Sequence, residues 1–172
     1  MALLTDFTKD EQTLLKYAPI WVFSLVANVD GVLDKKEVKQ FEEDIAALSG
    51  KLEYDLPENI GTNPLVKGLL QGIFASLSKE FEPLYSKIDK VGIAPIEGIK
   101  KAIQTIEAKG TKDEVAAYRN TLLSIGQNVA NSAGGLMLFR NSVSKVEASM
   151  IEEIKLAIGL SEQHSVRDPK KA

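Results

Sequence analysis

Residues 26–37 read Val-Ala-Asn-Val-Asp-Gly-Val-Leu-Asp-Lys-Lys-Glu. An apolar run ends at Val26-Ala27, and Asp30-Gly31 follows as turn chemistry. Asp34 and Glu37 then stand three residues apart, the spacing of a capping box that opens a helix. Beyond them Val38, Phe41, Ile45 and Leu48 recur at steps of three and four, one face of a helix. The stretch is therefore a helix–loop–helix hairpin. Residues 129–147, VANSAGGLMLFRNSVSKVE, repeat the layout. They begin with the same Val-Ala-Asn, reach a glycine at Gly134, and end on Ser144 and Glu147 at capping-box spacing. Extra loop residues, roughly Gly135 to Asn141, lengthen the second copy.

The rest of the chain reads the same way. Thr8 with Glu11 starts a first helix, which Pro19 is expected to kink or divide before the apolar run Ile20–Val26. Asn63-Pro64 opens a helix carrying Val66, Leu69, Ile73, Leu77 and Phe81, which Pro83 is expected to kink or end. Ala94-Pro95 opens another, closed by Lys109-Gly110. Thr111 and Glu114 cap a long helix with Val115, Tyr118, Leu122, Ile125 and Val129 on one face. The last helix ends at Ile158-Gly159. Segment 49–63 reads as a loop long enough to hide a helical turn. The expected fold is all-α: a single-domain helical bundle of about seven helices over residues 1–160, with two pseudo-repeated helix–loop–helix hairpins. Residues 161–172 are a polar tail expected to be disordered.

Composition removes several function classes. The chain has 172 residues, 44% hydrophobic, with a formal charge of −3 and basic residues spread throughout. No basic stripe marks a nucleic-acid surface. There is no cysteine, and the one histidine, His164, lies in the polar tail. Disulfides, thiolate metal sites and a histidine-based triad are thereby removed. The start MALLTDFTKDEQ lacks the pattern of a signal peptide. The longest apolar run, about Ala18 to Val29, is interrupted by Ser24 and Asn28 and falls short of the ~20 residues of a spanning helix. The expectation is a cytoplasmic protein with no direct membrane insertion. No nucleophile–base pair or phosphate loop is present, so it is not expected to be an enzyme.

A helix ending in Val-Ala-Asn-x-Asp-Gly, with a capping glutamate after it, resembles the TerB-like domain of the tellurite-resistance TerB family. The resemblance covers the layout of most of the chain, and its specific motifs lie at 26–48 and 126–159. It implies a non-enzymatic stress-response protein that acts with protein partners, in membrane-associated complexes, and binds a metal through acidic residues of the two hairpins. The sequence departs from that pattern in the second hairpin. Ala133 stands at the position of Asp30, and Ser144 at that of Asp34.

Two readings of the first hairpin stand side by side. In one it holds Ca2+ or another divalent cation, with oxygen ligands from Asn28, Asp30, Asp34 and Glu37, joined by Glu147 from the second hairpin. Against an EF-hand alignment, Val26 falls where the first carboxylate belongs, so an asymmetric site is the form this reading takes. In the other, Gly31, Asp34 and Glu37 are a turn and a cap, and the protein is a ligand-free helical interaction or scaffold protein. Its contact surface would be the apolar tip of the second hairpin, Leu136, Met137 and Phe139. Trp21, Phe23 and Phe74 read as core, Gly68 and Gly72 as a close helix approach, and Glu42, Glu43 and Asp44 as a solvated face.

Overall fold

The structure is a computed structural model that describes residues 2–28, 35–50, 64–133 and 145–160; residues 64–66 and 133 are described by their backbone alone. The described residues form six α-helices: α1 (Lys9–Ala27), α2 (Lys35–Leu48), α3 (Pro64–Tyr85), α4 (Pro95–Lys109), α5 (Lys112–Ala133) and α6 (Lys145–Ala157). Short 3-10 turns stand at Leu4–Asp6 and Ile88–Lys90, and no strand occurs among the described residues. The loop expected over 49–63 and the tail at 161–172 fall mostly or wholly outside the described residues.

α1 is the central helix. Every residue from Leu15 to Phe23 is buried. A helix apolar on all sides belongs in a core, and α1 packs against α3, α4, α5 and α6. Lys16 is the one charge in that run, and its ammonium lies 3.2 Å from the Glu80 carboxylate on α3. Pro19 does not divide the helix. It removes the N–H that would bond the Leu15 carbonyl, and the Tyr118 hydroxyl donates to that carbonyl instead, at 2.7 Å. α3 likewise runs past Pro83 to Tyr85.

Helix starts follow from local chemistry. The Thr8 hydroxyl accepts from the Glu11 amide at 3.3 Å, and the Glu11 carboxylate accepts from the Thr8 amide at 2.7 Å. The same box opens α5, where the Thr111 amide donates to Glu114 at 2.7 Å and the Glu114 amide to Thr111 at 3.2 Å. Glu114 is buried, and its carboxylate also accepts from the Ala2 amide at 3.1 Å, tying the N-terminal segment to α5. Thr111→Ala is expected to lower unfolding free energy by about 1 kcal/mol, read as a lower urea midpoint at unchanged slope.

Side-chain size sets the helix spacing. Gly98 on α4 sits against Trp21 of α1, where an added Cβ would lie 2.5 Å from the ring. Gly126 on α5 is the second close approach, 3.2 Å from Val22 and Ile151 on the same measure. The expected close approach at Gly68 and Gly72 is not there. Among the described residues, Gly68 is exposed with nothing within 4 Å, and Gly72 has Leu4 nearby at 3.5 Å. Phe23, Phe41, Phe81 and Tyr85 close a ring of aromatic contacts, with centroid distances of 4.6, 5.3, 5.5 and 6.0 Å, that joins α1, α2 and α3. Trp21, Phe23 and Phe74 are fully buried. No described helix is long and apolar enough to cross a membrane.

Candidate functional site

The two Val-Ala-Asn helices, α1 and α5, lie against each other in the bundle. α2, which follows the first hairpin, packs on α5, and α6, which follows the second, packs on α1. α6 also packs on α5, the first helix of its own pair.

Of the candidate cation ligands, Asn28, Glu37 and Glu147 are described; Asp30 and Asp34 lie outside the described residues, as does Gly31. Asn28 closes α1: its backbone amide donates to the Ser24 carbonyl at 3.2 Å and its side-chain Nδ2 to the same oxygen at 2.9 Å. That leaves Oδ1 as the side-chain atom it can offer a cation. Glu37 is the third residue of α2 and Glu147 the third of α6, and both are buried, at 4% and 9% exposure. Among the described residues no group of three histidines, cysteines or carboxylates is placed to hold a metal.

Glu114 shows what burial at this position means by itself. It too is the third residue of its helix, it is 1% exposed, and its oxygens go to backbone amides. A buried glutamate in the first turn is therefore compatible with capping alone, since amide donors replace lost water. Burial of Glu37 and Glu147 therefore does not separate the two readings.

A polar seam accompanies this end of α2. Asp44 is not part of a solvated face, as its neighbours Glu42 and Glu43 are; it is 1% exposed. Its carboxylate accepts from Gln40 Nε2 at 3.1 Å and from Asn128 Nδ2 of α5 at 3.1 and 3.2 Å. Removing a carboxylate from water requires such donors. Glu37, Gln40 and Asp44 stand at i, i+3 and i+7, one stripe of α2 beside its apolar face. Opposite them, Asn128, Asn131 and Ser132 come from the last turns of α5. With Gln40 they line a notch of about 250 Å3. Gln40 and Asn128 were absent from the sequence reading; the i, i+3, i+7 spacing of Glu37, Gln40 and Asp44 was the signal available for the α2 half.

The candidate partner contacts Leu136, Met137 and Phe139 lie outside the described residues, as do Gly134, Gly135 and the cap Ser144. Comparison with protein-family models, with curated proteins and with solved structures gives no match for this chain.

Proposed function

We propose that the chain is a non-enzymatic, TerB-like stress-response module of the tellurite-resistance type. It binds a divalent cation at the first hairpin and acts with protein partners, membrane-associated complexes among them, from the cytoplasm. The observation that carries this is the pair Glu37 and Glu147. Each is the third residue of the helix that follows a Val-Ala-Asn hairpin, and each is buried. The packing of α1 on α5, with α2 on α5 and α6 on both, supports reading the two hairpins as parts of one core. Gln40 of α2 and Asn128, Asn131 and Ser132 of α5 share one notch, which supports placing the first hairpin beside the start of the second.

The donor set is all oxygen, which suits a hard cation such as Ca2+. Asp30 and Asp34 would supply charge from the loop, Glu37 and Glu147 would supply carboxylates from the two helix starts, and Asn28 would supply its Oδ1. Lys35 and Lys36 next to Asp34 reduce the local negative charge, which favours weak, regulated binding over permanent occupancy.

Calcium titration by calorimetry tests the reading, with the melting temperature followed in parallel. The expected result is saturable binding, and a stabilisation of about 2.7 kcal/mol at a hundredfold excess of free ion over Kd. Asp30→Ala and Glu147→Gln should each remove it. No heat and no thermal shift would leave the hairpin as a capped turn. The protein would then be a ligand-free interaction module, and polar substitution of Leu136 and Phe139 should abolish partner binding.

A further inference from the structure

Pro19 lies in the middle of α1, where it is buried. The missing N–H leaves the Leu15 carbonyl without its helical donor, and in a core that oxygen has no water to turn to. The donor it receives comes from another helix. Tyr118 of α5 is 0% exposed, and its hydroxyl reaches the Leu15 oxygen at 2.7 Å across 103 residues of sequence. A phenylalanine would bury the same ring, so what the tyrosine adds at this place is one hydroxyl for one carbonyl. The segment after Pro19 carries the side chains that fix α1 to its neighbours, Trp21 against Gly98 and Phe23 against Phe41, and it ends at the first hairpin.

We infer that Pro19 and Tyr118 form a two-part latch. The proline opens a joint inside α1, and the hydroxyl from α5 closes it. The course of Ile20–Ala27, and with it the approach to the hairpin at Asn28, is then set by α5 as well as by the internal hydrogen bonds of α1. This holds whichever ligand the hairpin takes, because the latch is made of core groups alone.

Native-state hydrogen exchange on the full chain, followed residue by residue by NMR, tests the latch. Tyr118→Phe should speed exchange at the amides of Ile20–Ala27 roughly tenfold more than at those of Ile99–Ile106 in α4, the scale expected when a buried carbonyl loses its partner. Adding Pro19→Ala returns an N–H to the Leu15 carbonyl and should remove that excess. A uniform rise across α1 and α4 would overturn the inference, because it would mean only a global loss of stability. An excess that persists in the double variant would overturn it too. If Tyr118→Phe does not fold alone, the double variant should fold; failure of both has the same force.

Discussion

Gly98→Ala is expected to destabilise the protein by about 2–3 kcal/mol, although alanine is the better helix former by about 1 kcal/mol. The new methyl would lie 2.5–2.6 Å from Cζ3, Cε3 and Cη2 of Trp21. The ring is fully buried and stacked on Tyr17 at 5.3 Å, so any shift of it gives up that packing. α1 and α4 must separate, or the ring must leave its rotamer, and either response forfeits packing along the central helix. For a chain of this size the loss should lower Tm by roughly 4–12 °C. Trp21 is the only tryptophan, so its fluorescence reports the displacement directly. Gly68→Ala is the control. Gly68 is helical, exposed and faces nothing within 4 Å among the described residues, so there the same change should stabilise by about 0.5–1 kcal/mol. Equal effects at the two glycines in urea unfolding would sink the argument.

Asn128→Leu is expected to cost about 2–4 kcal/mol. It removes the donor that α5 directs at both oxygens of the buried Asp44 carboxylate. A buried acceptor left short of donors loses more than the net value of the bond, because its hydration is not returned. Asp44→Leu alone should also be costly, since it leaves the Asn128 and Gln40 amide donors facing a hydrocarbon. Together the two leucines should cost clearly less than the sum of the single losses, because the Asp44–Asn128 pair is lost only once and a matched apolar pair restores packing between α2 and α5. Additive losses in the double-mutant cycle would mean that Asp44 and Asn128 do not act as a unit.

These substitutions also mark where sequence reading reaches and where it stops. Helix starts at Thr8, Pro64, Pro95 and Thr111 were legible because each is decided within about four residues: a cap, a proline or a glutamate at fixed spacing. The all-helical class and the core roles of Trp21, Phe23 and Phe74 followed from periodicity in the same way. Pro19 does not divide α1, and the group that supplies the missing donor sits 103 residues from Leu15, beyond the reach of a local rule. Gly68 and Gly72 carry a recognised spacing but among the described residues meet at most Leu4, whereas Gly98 stands alone in sequence and meets Trp21. Asp44 looked like Glu42 and Glu43 because charge says nothing about which neighbour a helix turns toward.

The candidate site divides along the same line. Glu37 and Glu147 were legible because a repeated Val-Ala-Asn placed them at matching positions. Gln40 and Asn128 were not, because the seam exists only once α2 is laid on α5, joining Asp44 to a residue 84 positions away. Local capping chemistry also uses the same residue types as a cation loop, so Asp34 and Glu37 fit both readings in sequence.

The central position of α1 carries a consequence for how the chain is made. α1 leaves the ribosome before any of the helices that cover it, and two of its main partners, α4 and α5, begin only at Pro95 and Lys112. At a synthesis rate of about 5–20 residues per second, the core helix waits several seconds for its cover. During that interval only α2 and α3 are available to cover Leu15–Phe23, an apolar segment with Lys16 as its only charge. Vectorial synthesis thus gives this fold a built-in period of exposure, and a nascent chain halted before α4 would present a segment suited to a ribosome-associated holdase.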